Sequence, residues 1–476
     1  MTPRIIVVGG GISGLAAAHR LAELTAENHL GLEIALLEAG ERLGGCIMTE
    51  RVGEFLVEAG PDSFISEKPW ALGLCERLGL GPRLTSTNLA RQSVAVVHNG
   101  RLEPLPEGFL LMAPTRIRTF ITTRLFSWRG KLRMASELFR PRGAAHEDES
   151  LAAFVRRRFG REALERVVQP LIGGIYAADP EKLSLAATMP RFLEMERACR
   201  SVTWAMWRER RRRASSKRPG SGARWSLFLS LPGGMQELVD TIAGRLPDRS
   251  VQLGAHVIGL TWNSAKKNWI AATNRGQLEA DGVILATPAY SAAAVLSSVA
   301  PELAQELREI PYCSTATVSL AYRENEIPSA LGFGLIAPAI ESRKILACTF
   351  ISIKYPGRAP AGFVLLRAFV GGALQPHLFE QDDAAIEAGV RRELAELLGI
   401  TAEPLFRRIH RHPRSMPQYQ VGHLTRVQRI ESQVAKLPGL ALAGNAYRGV
   451  GIADCVHSGE TAAENILRAI ENREAI

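Results

Sequence analysis

Near the start of the chain, Gly9-Gly10-Gly11-Ile12-Ser13-Gly14 spaces three glycines as G-x-G-x-x-G. The chemistry open to this spacing is the holding of a dinucleotide diphosphate. Gly9 permits a tight turn, Gly11 lets the backbone approach the phosphates, and Gly14 lets the following helix lie close to the preceding strand. That helix would offer free N–H groups and the positive end of its dipole. With 43 glycines in 476 residues, the bare pattern should arise about 0.3 times by chance, so its context must decide. Glu38 supplies part of that context. At the end of a second apolar run, its carboxylate would accept hydrogen bonds from the adenosine ribose hydroxyls.

A second cluster follows at once. Glu38-Ala39-Gly40-Glu41-Arg42-Leu43-Gly44-Gly45 puts a cation near the same diphosphate and two glycines where the chain must pass close to it. A surface pair of Arg42 with Glu38 or Glu41 is the plainer alternative. A third cluster lies near the far end, Gly444-Asn445-Ala446-Tyr447-Arg448-Gly449-Val450-Gly451-Ile452-Ala453-Asp454-Cys455-Val456-His457-Ser458-Gly459. A second glycine loop feeding a helix would offer further backbone donors to the same ligand. A simple closing helix is the alternative. Two such loops at opposite ends imply a cofactor domain assembled from distant segments.

These groups need elements to position them. Ile5-Ile6-Val7-Val8 is an unbroken apolar run, as in a strand buried on both faces. Residues 12–24 carry Leu15, Ala18, Leu21 and Ala22 at helical spacing, and Ile34-Ala35-Leu36-Leu37 is a second buried strand. Together they form a β-α-β unit with its glycine turn at the first strand-to-helix junction. Residues 69–80 read as a helix closed by Gly81-Pro82, and residues 94–105 as a hairpin turning at Asn99-Gly100. From 109 to about 207 the pattern is mainly helical, with Ser150 capping one amphipathic helix. The Arg/Ser/Gly stretch 208–222 reads as a linker. Then come a helix at 235–246, strands at 252–262, 269–273 and 283–287, and antiparallel alternation over 316–370. An amphipathic helix at 381–398, a strand at 440–443 and a helix at 458–470 complete the pattern.

Composition bounds the function. The chain is 46% hydrophobic and 22% charged, as in a globular protein with a sizeable core. Its 476 residues suit two or three domains. Cys46, Cys75, Cys199, Cys313, Cys348 and Cys455 form no C-x-x-C pair and no zinc-ligand spacing. They read as separate reduced thiols of a cytoplasmic protein, and no metal site is expected. No signal peptide is expected, because Met1-Thr2-Pro3-Arg4 runs straight into an apolar strand. The longest uncharged stretch, 282–301, is interrupted by Pro288 and reads as strand, turn and helix, not a membrane span. Part of the net charge of +10 lies in residues 208–213, five arginines and Glu209. A solvated loop is the plain reading. Contact with an acidic membrane surface or attraction of a polyanionic substrate are the others. Nucleic acid is excluded, since no recognition fold or aromatic platform accompanies the charge.

Over nearly its whole length the chain resembles the oxygen-dependent protoporphyrinogen/coproporphyrinogen oxidase family, within the flavin-containing amine oxidase superfamily. Beside the tail, the resemblance rests on Glu58-Ala59-Gly60-Pro61-Asp62-Ser63-Phe64, Gly173-Gly174-Ile175-Tyr176-Ala177 and Pro417-Gln418-Tyr419-Gln420-Val421-Gly422-His423. It is closest to the bacterial coproporphyrinogen III oxidase branch. Gln92-Ser93-Val94-Ala95 lacks the arginine some members carry for a propionate, the nearest being Arg91, and the link 23–33 is long. The resemblance implies an α/β fold: a discontinuous Rossmann-like FAD domain (1–88, 228–292 and 424–476), a mixed-sheet substrate domain (89–108 and 293–423) and an inserted helical domain (109–227).

It further implies non-covalent FAD held by Gly9, Gly10, Gly11, Ile12, Ser13, Gly14, Glu38, Arg42, Gly60, Pro61, Asp62, Ser63, Val257, Val450, Gly451 and Ile452. Gly174, Ile336 and Phe369 would face the porphyrinogen; for Val257, Ile336 and Phe369 plain core packing competes. The implied reaction belongs to haem biosynthesis. It oxidises a porphyrinogen, coproporphyrinogen III ahead of protoporphyrinogen IX, in three two-electron steps. Each passes a hydride from a meso carbon to flavin N5, with O2 as acceptor and H2O2 released. Flavin N5 does the chemistry, so no catalytic residue is assigned; His423 and Asp454 are set aside because sequence puts neither in reach of a reacting atom. A cytoplasmic protein is implied. Attachment to the inner face of the membrane through residues 109–128, which include Arg116, Arg118 and Arg124, and a monomeric or homodimeric state stay open. The rivals are an amine oxidase or carotenoid desaturase of the same superfamily, and a non-catalytic flavoprotein in tetrapyrrole handling.

Overall fold

The computed structural model describes residues 2–106, 109–110, 113–114, 116–143, 148–215, 227–328 and 332–474. The apolar runs near the start become the strands Arg4–Val8 and Glu33–Glu38. They lie side by side in a five-stranded sheet ordered Val251–Leu253, Glu33–Glu38, Arg4–Val8, Gly282–Leu285, Leu440–Leu442. Every pairing in it is parallel. Three distant stretches of chain therefore make one sheet. Both faces are covered, as parallel strands require. Ile5 and Val7 pack with the helices Ile12–Glu27, Pro69–Arg77, Gln236–Ala243 and Ile452–Glu474. Ile6 and Val8 pack with the small sheet at 257–280 and the helices Ala289–Leu296, Pro301–Arg308 and His423–Val434.

A second sheet has seven strands, ordered Phe406–Pro417, Tyr312–Arg323, Phe363–Gly371, Ala347–Phe350, Gly334–Ile336, Val94–His98, Arg101–Pro104. It is antiparallel except where Gly334–Ile336 meets Val94–His98. One face buries Val318, Leu335, Cys348 and Ala368 against the helix Asp383–Leu398. The other carries Val96, Ile336 and Ala347 toward helices from residues 151–206. Among those helices, a π-helical turn at Leu164–Val168 leads into Gln169–Tyr176. Such turns cluster at functional sites.

Three sequence expectations change. The strand expected over 252–262 splits at Gly254, whose φ of +63° turns the chain, so that its halves join different sheets. The arginine-rich stretch is not all loop. The helix Val202–Ser215 runs through residues 208–213, and residues 216–226 lie outside the described ones. The closing helix starts at Ile452, six residues before the expected 458. The segment 109–128 lies partly outside the described residues; what is described includes the helix Ile117–Thr122. Among the described residues no helix is long and apolar enough to cross a membrane. All six cysteines are free thiols.

Candidate active site

The opening strand ends at Gly9, whose N–H donates to the Leu37 carbonyl at 2.8 Å. Its φ is +105°, and an added Cβ would lie 2.8 Å from the Ala286 carbonyl oxygen. A Cβ at Gly14 would overlap the Gly9 carbonyl oxygen, so helix and strand touch through this residue. Gly11 is different: it caps the helix with no side-chain hydrogen bond, and a Cβ there meets nothing within 4 Å. The first turn thus has no side-chain cap and carries no acid, and there is room beside Gly11. A diphosphate fits that cradle by charge and by room. Ile12 and Ser13 are buried in the same first turn.

Glu38 is fixed beside this loop. Its Oε2 accepts from the Gly10 N–H at 2.6 Å and its Oε1 from the Gly40 N–H at 2.7 Å. Gly44 donates to the Gly10 carbonyl at 2.8 Å, which closes the following loop onto the first. Arg42 braces that loop from within. Its guanidinium donates to the carbonyls of Leu43 (3.1 Å), Gly45 (2.5 Å) and Ile47 (2.9 Å), not to Glu38 or Glu41.

The segment 58–63 runs over the seven-stranded sheet and is clamped by buried side chains of it. Thr317 Oγ1 and His412 Nε2 each donate to the Ala59 carbonyl at 2.9 Å. Arg367 donates to the carbonyls of Gly60 (2.6 Å) and Glu58 (3.2 Å) and to Asp62 Oδ2 (2.9 Å). Asp62 also accepts from Lys354 at 3.2 Å and from the Ser63 hydroxyl at 2.6 Å. Burial pushes the Asp62 carboxyl up, but Lys354 and Arg367 more than reverse this and hold it well below the usual carboxylate range. Its side chain is thus committed to the protein. Arg367 and Lys354 were not foreseen. The one signal for Arg367 was a charge inside the apolar strand Phe363–Gly371.

The closing loop is also held by side chains. Tyr419 donates to the Asn445 carbonyl at 2.5 Å and accepts from the Gly449 N–H at 2.8 Å. His423 stacks on the Tyr419 ring at 4.0 Å and donates through Nε2 to the Tyr447 carbonyl at 2.9 Å. Burial, helped by Arg426 and Arg448, pushes the His423 imidazole down to about 4, so the ring is neutral. Asp454 accepts from Lys68 Nζ at 2.6 Å. Val450 and Gly451 are half-buried, and Ile452 opens the closing helix. Burial pushes the Cys455 thiol up to about 12.

Ile336 pairs with Ala347, and Ala347 with Phe369, so the three stand abreast on adjacent strands. Ile336 and Ala347 belong to one apolar cluster, against which Phe369, Val450 and Tyr176 pack. The two expected walls of a substrate site and Val450 of the closing loop therefore border one apolar cluster. Arg367 lies over the Phe369 ring, 4.9 Å from its centre. Gly174 is exposed in the last turn of Gln169–Tyr176, which ends at Ala177 in the left-handed conformation (φ 48°). Val257 stands apart from this cluster, at the end of the small sheet. Its side chain is in the core, and the ladder shifts register between it and Gly259, which leaves an irregular backbone there. Arg91 is exposed in the short turn Leu89–Arg91. Cavities of about 340 Å3 beside Ala178, Cys313 and Gln418 and about 620 Å3 beside Thr49 and Asp240 are lined by none of the expected site residues.

The family model for flavin containing amine oxidoreductases matches residues 12–467. The chain is 36% identical to the coproporphyrinogen III oxidase of Bacillus subtilis (strain 168), over 97% of each protein. It is 31% identical to the protoporphyrinogen oxidase of Bos taurus, over 97% of this chain and 98% of that one. A solved structure assigned as a protoporphyrinogen oxidase from Exiguobacterium sp. 255-15 matches with a TM-score of 0.85 at 32% identity, covering 99% of both chains. Reduced UDP-galactopyranose mutase, at 16% identity and a TM-score of 0.73, shares the fold.

Proposed function

The chain belongs to the family of flavin-containing amine oxidoreductases, and from that premise we propose that it oxidises coproporphyrinogen III to coproporphyrin III in haem biosynthesis, with O2 as acceptor and H2O2 released. The observation that carries this reading is that Ile336 belongs to an apolar cluster against which both Phe369 and Val450 of the closing glycine loop pack. When bound, the flavin supplies hydride acceptance and electron transfer to O2. The protein's share is binding, orientation and exclusion of water. Gly9, Gly10, Gly11, Ile12, Ser13 and Gly14 receive the diphosphate, Glu38 the ribose, and the backbone of Val257 the adenine. Gly60, Pro61, Asp62 and Ser63, with Val450, Gly451 and Ile452, flank the ring system; Arg42 shapes the loop beneath the diphosphate.

Ile336 and Phe369 hold the flexible macrocycle against that ring, and Gly174 leaves room at its edge. Neutral His423 is bound to the Tyr447 carbonyl and Asp454 to Lys68, so both already have partners. Non-covalent attachment is supported by Cys455, which is buried, protonated and packed in the helical core beyond the loop. The division into 1–88, 228–292 and 424–476; 89–108 and 293–423; and 109–227 is part of the same reading.

The second substrate reading, protoporphyrinogen IX, is favoured by the names of the bovine relative and the Exiguobacterium structure. Paired kcat/KM values for the two porphyrinogens test the choice. We expect the tetracarboxylate to win, and a preference for protoporphyrinogen IX would reverse the assignment. Peripheral membrane attachment is supported by Trp128, Leu132 and Phe139, which are 67%, 70% and 79% exposed, beside exposed Arg116, Arg118, Arg124 and Arg129. Flotation with anionic vesicles tests it, and recovery of all the protein in the lipid-free fraction would exclude it.

A further inference from the structure

The segment 417–423 bonds both to the substrate-side helix end at Tyr176 and to the closing loop, yet no step of the chemistry needs it. Its backbone is tied on both sides. Gln418 N–H donates to the Pro311 carbonyl at 2.8 Å, the Tyr419 carbonyl accepts from Ser184 at 2.7 Å, and Val421 N–H donates to Lys182 at 2.9 Å. Gly422 N–H donates to Asp148 Oδ2 at 2.9 Å. On this fixed strap two neighbouring side chains reach in different directions. Gln418 Nε2 donates to the carbonyl of Tyr176, at the substrate-side helix end, at 3.2 Å. The Tyr419 hydroxyl spans the closing loop, from the Asn445 carbonyl to the Gly449 N–H. Both side chains are buried, and the Tyr419 ring is seated on His423.

A hydroxyl that donates to one end of a loop and accepts from the other sets the separation of those ends. The segment so set, 445–449, leads directly into Val450, Gly451 and Ile452. We propose that Tyr419 is a positioning residue: it fixes the flavin-facing loop, and Gln418 beside it ties that setting to the Gly174–Tyr176 edge where the substrate lies. The strap thus holds hydride donor and acceptor sites in one frame. This rests on the porphyrinogen oxidase reading. Small displacements of reacting groups have large kinetic effects, on the order of 100-fold for about 1 Å.

The test uses flavin-loaded protein. Tyr419→Phe keeps the ring stack and removes the hydroxyl; Gln418→Leu keeps the bulk and removes the bond to Tyr176. Anaerobic mixing with coproporphyrinogen III reads the rate of flavin reduction, and the visible spectrum and midpoint potential of the bound flavin read the loop. For Tyr419→Phe we expect bound flavin with a shifted spectrum or potential. Its limiting reduction rate should be lower on the order of 10- to 100-fold, with KM changed less than about threefold. In the double variant the losses should fall short of the product of the two single factors. A Tyr419→Phe protein that only melts earlier, with wild-type rate, spectrum and potential per flavin, would overturn the proposal, as would losses that simply multiply. Should Tyr419→Phe not fold with flavin, Gln418→Leu decides, and an unchanged reduction rate there overturns it. If the wild type itself ignores porphyrinogen, the substrate reading fails instead, and the flavin spectrum and potential of Tyr419→Phe still judge the strap.

Discussion

The opening loop at residues 9–14 is shaped by backbone contacts and one carboxylate, whereas the closing loop at 444–451 is held by side chains remote in sequence. At the first, Gly9 meets the Ala286 carbonyl, Gly14 meets Gly9, and Glu38 takes the Gly10 N–H. At the second, Tyr419, His423 and Ser458 supply the bonds. The two loops would approach one ligand, but the first is shaped mainly by close backbone packing and the second mainly by side-chain bonds. A loop built on glycine backbone tolerates no added atom where chain meets chain. A loop built on side-chain bonds tolerates local change but depends on what its partners do.

The difference can be attacked directly. Gly14→Ala should do most harm, because its methyl overlaps the Gly9 carbonyl; denaturant unfolding should show a loss of about 3 kcal/mol. Gly11→Val, three residues away, should leave stability within about 0.5 kcal/mol, since its φ of −71° suits any residue and the space is open. It should nevertheless emerge from gel filtration colourless, because the side chain fills the diphosphate cradle. A stable, fully yellow Gly11→Val protein would show that the ligand lies elsewhere. Phe369→Ala lies outside both loops, although Phe369 packs against the same apolar cluster as Val450, and it should keep its flavin while kcat/KM falls about tenfold; flavin loss would move residue 369 into the cofactor site.

Acid should loosen the closing loop. His423 is pushed below the ordinary 6.5 by burial and by Arg426 and Arg448, against the pull of the Tyr447 carbonyl and Asp148. A depressed histidine contributes its stability fully above pH 6.5 and loses it as pH falls toward about 4. Flavin release should therefore rise over that window, and His423→Gln should flatten the dependence; an identical pH profile in both proteins would refute the role of this ring. Lys68→Met should matter least. Lys68 is 43% exposed and Asp454 13%, so solvent screens the pair and its removal should cost under about 1 kcal/mol in unfolding.

The same contrast explains what sequence could reveal. The β-α-β unit, the Asn99-Gly100 hairpin (φ 52° and 71°) and the cap of Ser150 on Ala153 depend on residues close in sequence, and all were legible. So was the first glycine loop. The break at Gly254 was not, because an isolated strand carries no sign of which sheet will take each half. The helix through the arginines was hidden by their charge, since Trp207 under Arg211 is a contact that composition does not reveal. The early start of the closing helix was masked by glycines that serve its N-terminal approach. Arg367, Lys354 and Tyr419 act over more than 25 residues of chain, and pattern reading has no access to such pairings.

The opening and closing helices cross where Gly459 lies so near Ser13 that a Cβ would overlap its carbonyl oxygen. Between the two lie more than 400 residues that must leave the ribosome first. At about 5–20 residues per second, that delay is roughly 20–90 s. During this interval the flank of the opening helix at Ser13 and Ala17 lacks the closing helix that covers it. On the reading that one flavin engages both loops, its full retention waits for this late-made helix, and chains stalled before it would offer chaperones an apolar flank.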